Sequence, residues 1–406
     1  MEKLNSIISQ LKVFLKTDRL SQVRDALPDS LFLLEKGYNL VTTDNTTRYS
    51  LKLIESVIDI SWEDLNIGHW STVPENHRKL HALACFLKVI GLLQLAMQDD
   101  ENTADNLKEA VRTADLGLIL GCGFHDELST AARLISSALF ELESDSFDPE
   151  ISKCTYSSNC DAFPGIKGEE ICSLKLPSLQ YFSEHHFYPQ KPAILLDCIS
   201  HWPAFGKWDN INYLKKVAGH RTVPIELGSS YTENDWGMRL TTLQEFIENH
   251  IIRKGDSVGY LAQHQLFNQV PELQNDICVP EYCCISDLED GSYGVDTNAW
   301  FGPAGTVTPL HYDPKHNLFC QVVGSKRVLL YSPEDSENLY PHDATMLNNT
   351  AQVDPYSPNY DLFPKYRQAK AYECHLRPGE MLYIPPKWWH HIRSLDISFS
   401  VSFWWE

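Results

Sequence analysis

The sequence predicts an α+β protein in which an all-helical N-terminal domain, residues 1–143, precedes a β-rich domain, residues 176–406. Three observations lead to this prediction. Apolar residues recur three and four positions apart in the first part, a polar segment interrupts that pattern, and runs of β-branched and aromatic residues follow. At 406 residues the chain is long enough for two or three domains.

The helical pattern is clearest in residues 80–97, where Leu80, Leu83, Leu87 and Ile90 lie on one face of a helix. Similar patterns occupy residues 51–60, 103–120 and 127–142. Together they predict an antiparallel bundle without a fixed repeat period. We interpret this domain as a candidate interaction region.

Residues 144–175 are predicted to be a linker, because the helical pattern ends in the polar sequence ESDSFDPE at 143–150. Beyond it, turn residues separate strand-like runs, which indicates a barrel or a sandwich. These runs are residues 193–198, 222–227, 318–323, 328–331, 381–384 and 397–405.

The last predicted strand has the most regular alternation. Its apolar residues and its small hydroxylated residues fall on opposite faces: Ile397, Phe399, Val401 and Phe403 against Ser398, Ser400, Ser402 and then Trp404. The apolar face should pack against a core. The serine face has two interpretations that the strand alone does not separate, because it can line a cavity inside a barrel or face solvent.

The formal net charge of −20 favours some partners over others. Such a surface repels phosphate backbones, so we expect no direct binding of nucleic acid. Basic partners fit better, such as histones and Arg/Lys-rich ribosomal or chromatin-associated proteins. The eleven cysteines include no C-x-x-C pair, which is typical of free thiols in a reducing compartment. With neither a secretion signal nor a membrane-spanning segment apparent, we expect the nucleus, the cytoplasm or both.

A candidate metal site begins with His311 and Asp313 in the sequence PLHYDP at 309–314. Two residues apart on a strand, their side chains share one face and can bind one ion. The sequence IPPKWWHHI at 384–392 supplies a further histidine. Two imidazoles and one carboxylate form the ligand set of non-haem Fe(II) oxygenases. Periodicity leaves open whether the third ligand is His390 or His391.

The whole chain resembles members of the jumonji-C family of 2-oxoglutarate oxygenases, with the jumonji-C domain itself beginning at about residue 176. The resemblance rests on NAWFGP at 298–303, TPLHYDP at 308–314, IPPKWWH at 384–390, SVSFWW at 400–405, VGYLAQHQLF at 258–267 and, in the helical part, SWEDLN at 61–66. It implies a double-stranded β-helix, the cupin-like jelly roll, as the catalytic domain. It also implies Fe(II) as the metal, with 2-oxoglutarate and O2 as cosubstrates.

The resemblance further implies a set of site residues, none of them catalytic beyond the metal site. The iron ligands would be His311, Asp313 and His390. The 2-oxoglutarate residues would be Tyr260, Thr308, Asn317, Lys326 and Trp404, with the Lys326 ammonium on the distal carboxylate. The substrate residues would be Glu226, Tyr231 and Trp236. The Glu226 carboxylate would bind a guanidinium through two hydrogen bonds, and the rings of Tyr231 and Trp236 would stack on its plane.

Three functions are compatible with this site. The first is hydroxylation of arginine at C-3 in protein substrates, and the second is demethylation of N-methyl-lysine in histone H3. The third is a non-catalytic binding module. The acid Glu226 favours arginine over methyl-lysine, whereas the complete metal triad and Lys326 disfavour the third function.

Overall fold

The protein is described by a computed structural model over residues 2–16, 19–23, 28–67, 72–98, 100–143, 168–228, 236–253, 258–286, 294–343 and 347–406. Within residues 2–143 the described helices are α1 (Glu2–Val13), α2 (Pro28–Thr42), α3 (Arg48–Asn66), α4 (Glu75–Ala96), α5 (Thr103–Leu120) and α6 (His125–Glu143). The predicted helical segments fall within α3 to α6, or within one residue of their ends. A strand-rich part follows, so the predicted α+β class is confirmed.

Helix α4 is the central helix of this region. It packs against α3 and α5, and its residues from Leu80 onwards are almost all buried. Its length and apolar composition would also suit a membrane span, but the neighbouring helices cover most of it, as is usual for a core helix. Helix α3 begins with a reciprocal cap, in which the Thr47 and Ser50 hydroxyls each accept the backbone N–H of the other residue.

The second part is built on two sheets. Its strands are β1 (Glu169–Glu170), β2 (Ser173–Lys175), β3 (Ala193–Leu196), β4 (Thr222–Leu227), β5 (Gly237–Thr242), β6 (Gly259–His264), β7 (Asp296–Gly302), β8 (Val307–Tyr312), β9 (His316–Val323), β10 (Lys326–Tyr331), β11 (Ala371–Leu376), β12 (Met381–Ile384), β13 (Trp389–Ser394) and β14 (Ser398–Trp405). Among the described residues one sheet has the order β1-β11-β10-β13-β8. The other has the order β2-β3-β12-β9-β14-β7-β6-β4-β5.

Short helices connect or flank these strands. They are α7 (Leu179–Phe182), α8 (Ile211–Ala218), α9 (Leu243–Phe246), α10 (Leu266–Gln269), α11 (Pro271–Gln274) and α12 (Ser336–Leu339). Strands β1 and β2 lie inside the segment that the sequence predicts as a linker, and they pair with β11 and β3. Strands of two and three residues carry too little alternation to be recognised from sequence.

The two sheets enclose a common interior. One buried cluster draws Trp300 and Phe319 from the larger sheet and Val328 and Ile392 from the smaller one. The serine face of β14 points into this interior, since Ser398, Ser400 and Ser402 are fully buried and hydrogen-bonded. Of the two interpretations of that face, the interior one is therefore correct.

One buried ion pair fastens the helical region to the larger sheet. Asp115 of α5 accepts hydrogen bonds from Arg221 Nε at 2.9 Å and Nη2 at 2.6 Å, and both side chains are almost completely buried. The second Asp115 oxygen accepts the backbone N–H of Thr222, the first residue of β4, at 2.6 Å. Arg221 also donates to the Gln269 carbonyl at 2.7 Å, and the Gln269 amide donates to the Thr222 carbonyl at 2.7 Å. Strand β4 is thereby tied to α5.

Replacing Asp115 with alanine is expected to destabilise the protein by about 3–5 kcal/mol, because it leaves the Arg221 cation buried without its counter-charge. Chemical denaturation measures the change. The control is Glu141→Ala, which removes an exposed pair with Lys3 and should cost about 1 kcal/mol or less. Equal effects of the two substitutions would contradict this account of the buried pair.

Candidate active site

The candidate metal ligands come together on two neighbouring strands of the smaller sheet, β8 and β13. His311 on β8 lies directly opposite His390 on β13, and Asp313 follows immediately after β8. The Asp313 carboxylate lies 3.7 Å from His311 Nε2 and 3.5 Å from His390 Nε2. One donor atom from each of the three residues fits within 4.8 Å of the others, which is close enough for one ion.

The local backbone orients both imidazoles. His311 Nδ1 lies 2.8 Å from the Pro309 carbonyl and His390 Nδ1 lies 3.1 Å from the Trp388 carbonyl. A carbonyl only accepts, so each Nδ1 donates its proton and each Nε2 keeps a lone pair for a metal. Burial lowers the pKa of His390 to about 4, and the neighbouring His311 contributes a smaller part of this decrease. The neutral ring that binds metals is therefore the form present near pH 7.

The carboxylate of Asp313 completes a donor set that fits Fe(II). Its Oδ2 is buried and has no hydrogen-bond partner among the described residues. A buried, unpartnered carboxylate oxygen is costly unless it meets a cation. Two imidazoles and one carboxylate on the same side of an ion leave the remaining coordination positions open.

His391 lies on the other face of β13, as alternation along a strand requires. Its ring is buried and lies 4.9 Å from the ring of Tyr356. Burial lowers its pKa to about 3. The structure therefore groups His390, and not His391, with His311 and Asp313.

Lys326, at the start of β10, is a completely buried amine inside the barrel. Its Nζ donates to the Tyr260 hydroxyl at 3.0 Å, and Thr308 bonds to the same hydroxyl. No acidic side chain among the described residues lies within ion-pair distance of it. Burial lowers the pKa of Lys326 to about 7. An ammonium placed in this way lacks a counter-anion, so the site suits an anionic ligand.

Asn317 and Trp404 form a second polar pair in the interior. They lie opposite each other on β9 and β14. Asn317 Oδ1 and Trp404 Nε1 are both buried without a hydrogen-bond partner among the described residues. Unpartnered polar atoms in a folded interior fit a position that binds a polar ligand.

Glu226 on β4 lies opposite Tyr260 on β6, so their side chains share one face of the sheet. Burial raises the pKa of Glu226, and a hydrogen bond from the Trp236 indole partly offsets this rise. No lysine or arginine among the described residues lies within ion-pair distance of its carboxylate. Tyr231, the third predicted substrate residue, lies outside the described residues.

Sequence reasoning missed strand β5, which pairs with β4 and borders Glu226. The available signal was the alternation of the apolar residues Trp236, Met238 and Leu240. Polar residues and glycine dominate residues 228–237, and they hide this short alternation within a segment typical of a loop.

Comparisons with known proteins agree with this architecture. A family model described as a cupin-like domain matches residues 178–406, and one described as KDM8-like, N-terminal ARM repeats matches residues 32–147. The chain is 39% identical to Lysine-specific demethylase 8 of Xenopus tropicalis, over 87% of this chain and 88% of that protein. It is 43% identical to Jumonji C domain-containing protein 5 of Drosophila melanogaster, over 87% and 86%.

A third relative, Lysine-specific demethylase 8 of Danio rerio, is 41% identical over 88% of each chain. The similarity therefore extends along most of this chain, through both the helical and the strand-rich parts. Members of the family in general require Fe(II) and 2-oxoglutarate, and a His-Asp-His group is present here. The chain belongs to the jumonji-C family of cupin-like, 2-oxoglutarate-dependent oxygenases.

Proposed function

We propose that this oxygenase hydroxylates an arginine of a protein substrate at C-3. The observation that supports this proposal most is Glu226, a half-buried carboxylate on the same sheet face as Tyr260. It has no cationic partner among the described residues. A substrate guanidinium would supply that partner, and its planar fork would allow two parallel hydrogen bonds.

In this proposal His311, Asp313 and His390 hold Fe(II). The bound ion supplies the activation of O2 and the oxidation of the substrate C–H bond. The carbonyls of Pro309 and Trp388 fix the two imidazole rings, so that the ligand atoms converge before the ion binds.

The cosubstrate residues divide into two groups in the same proposal. Lys326 forms the ion pair with the distal carboxylate of 2-oxoglutarate, while the Tyr260 and Thr308 hydroxyls add hydrogen bonds. Asn317 and Trp404 offer an amide and an indole N–H to the rest of the cosubstrate. The cosubstrate would give Trp404 Nε1 the acceptor that it otherwise lacks, and Asn317 would meet it with its NH2 group turned inward in place of Oδ1, because 2-oxoglutarate has no donor.

Demethylation of N-methyl-lysine is the second candidate, because two of the relatives carry the name Lysine-specific demethylase 8. The same metal and cosubstrate residues would serve an N-methyl group. A methylated ammonium cannot form two parallel hydrogen bonds with Glu226, so it would gain less binding energy from that carboxylate than a guanidinium. A non-catalytic role is disfavoured, since the residues that such chemistry requires are all present.

The proposed partners are Arg/Lys-rich proteins of the histone, ribosomal or chromatin-associated kind. The net charge of −20 supports basic substrates, because it attracts them over distance at low salt. With such substrates we propose a nuclear location, with a cytoplasmic fraction where ribosomal proteins are modified.

Replacing Glu226 with glutamine separates the two activities. The substitution keeps the shape but removes the charge, so arginine hydroxylation should lose about 1.5–3 kcal/mol of transition-state stabilisation. Mass spectrometry of an arginine peptide and a dimethyl-lysine histone H3 peptide measures both reactions. Uncoupled turnover of 2-oxoglutarate should continue, because Lys326 and the metal ligands are unchanged.

Two outcomes would reject arginine as the target. One is arginine hydroxylation that survives the Glu226→Gln change intact. The other is a wild-type protein that converts only the dimethyl-lysine peptide, in which case demethylation replaces the proposed activity. A peptide with lysine in place of the arginine is the control for charge without a guanidinium.

A further inference from the structure

Strand β5 is the last strand of the larger sheet, and one of its edges is open. In the sheet order it follows β4, and within the described part of the chain no strand pairs with its outer side. An open edge presents unpaired backbone N–H and C=O groups. Proteins usually protect such edges with charges, proline or a covering segment.

The exposed side chains of β5 differ between its two faces, because the charged Arg239 lies on one face and apolar residues lie on the other. Trp236, which immediately precedes β5, is 37% exposed, and Met238 and Leu240 within β5 are 64% and 41% exposed. They alternate along the strand and therefore share one face. A contiguous apolar stripe beside an open edge is typical of a surface that binds another polypeptide.

The stripe faces the same way as the proposed substrate carboxylate. Met238 lies directly opposite Glu226, and Leu240 lies opposite Pro224. Glu226 in turn lies opposite Tyr260 on the next strand. One continuous face therefore leads from the barrel interior, past Glu226, to the apolar stripe on β5.

The charges at the end of β5 select a basic partner. A cleft of about 350 Å³ begins at Thr242, the last residue of β5. Five carboxylates line it, and three of them form ion pairs, Glu109 with Lys88, Glu143 with Lys108 and Glu248 with Lys215; the other two are Asp105 and Glu245. The cleft is formed jointly by the helical region and the sheet, so both would meet a partner placed there.

We propose that a segment flanking the modified residue adds to the outer edge of β5 as an extra strand. Its alternate apolar side chains pack on Trp236, Met238 and Leu240, and its basic residues lie towards the acidic cleft. The inference rests on the proposed function only for the identity of the modified residue. Strands lie about 4.8 Å apart and advance about 3.3 Å per residue, so the two strand spacings between β4 and the docked segment correspond to roughly three residues of the substrate.

The test compares a long and a short synthetic arginine peptide. The long peptide is long enough to lie along all six residues of β5, and in that part it carries valine at alternate positions and lysine at its far end. The short peptide ends before the part that would reach β5. The double substitution Met238→Ser with Leu240→Ser should weaken binding of the long peptide about tenfold or more in fluorescence anisotropy, and leave the short peptide unchanged. Leu362→Ser is the matched control, because Leu362 is also 64% exposed but lies between α12 and β11.

A second measurement tests the backbone contact itself. Two versions of the long peptide carry N-methyl groups on alternate amides, one at the odd positions and one at the even positions. Only one version should bind more weakly, since successive amides of a strand point in opposite directions and only one set faces β5. Equal affinity of wild type and double variant for the long peptide would overturn the proposal. So would a dimer of the wild-type protein that the double substitution dissociates without changing peptide affinity, because the edge would then bind a second copy.

The outcome does not depend on arginine being the target. The same pair of peptides with dimethyl-lysine in the central position reports on the flanking segment in the same way. If the central residue decides turnover but the double substitution leaves both long peptides bound equally well, the docking inference fails and the proposed function stands. If only the dimethyl-lysine peptides turn over and the double substitution weakens binding of the long one, the docking inference holds and the proposed arginine hydroxylation fails.

Discussion

Alanine in place of His311, Asp313 or His390 is expected to abolish turnover of 2-oxoglutarate and of any peptide substrate. Each substitution leaves two ligands where the open coordination of Fe(II) needs three. The same variants should lose bound iron in metal analysis after gel filtration, which is a readout independent of catalysis. A loss of at least about a thousandfold in rate fits removal of the group that supplies the chemistry.

The matched control for these variants is His391→Phe. His391 is the adjacent residue on the same strand, and its buried ring packs against Tyr356. Phenylalanine keeps an aromatic ring in that position, so iron binding and most of the activity should persist. If His391→Phe removed iron as completely as His390→Ala, the choice of the third ligand would be wrong.

Replacing Lys326 with methionine should raise the apparent KM for 2-oxoglutarate by roughly a hundredfold to several thousandfold. The estimate follows from a cost of about 3–5 kcal/mol for leaving one partner of a buried ion pair uncompensated. Methionine fills a similar volume, so the barrel interior should remain packed. Iron binding should persist, because Lys326 contacts none of the metal ligands. An unchanged cosubstrate titration would contradict the assignment.

The pH dependence of cosubstrate binding supplies a second readout for Lys326. Burial lowers the pKa of this amine to about 7, so it is charged below that pH and increasingly neutral above it. At higher pH, Lys326 must therefore take up a proton before it can pair with a carboxylate. The affinity for 2-oxoglutarate should fall as pH rises above about 7. Calorimetry at several pH values measures this trend, which should disappear in Lys326→Met.

The sequence was most informative where chemistry depends on short spacing. His311 and Asp313 are two residues apart on a strand, so their shared face follows from the geometry of the strand alone. The choice of His390 over His391 required the partner strand, because alternation permits either until the register with His311 is known. The alternation on β14 likewise predicted two faces, and only the sheet order revealed that the serine face lies inside.

Other features depend on contacts that no local pattern contains. A lysine on a strand is usually a solvated charge, and Lys326 differs only because the barrel closes over it. Glu226 is similarly ordinary in sequence, and its raised pKa arises from burial near Tyr260. These positions were identified through family resemblance, and their roles remain predictions. Strand β5 was missed because its short alternation follows a polar, glycine-containing segment that is typical of a loop.

The buried pair between Asp115 and Arg221 has a consequence for how this protein can be shortened. A chain that lacked α5 would leave Arg221, the residue before β4, without its counter-charge and the Thr222 N–H without its acceptor. Both contacts come from one carboxylate, Asp115, which lies 106 positions before Arg221. The helices are in this sense part of the fold of the oxygenase, because a side chain of α5 holds the first residue of β4 in place.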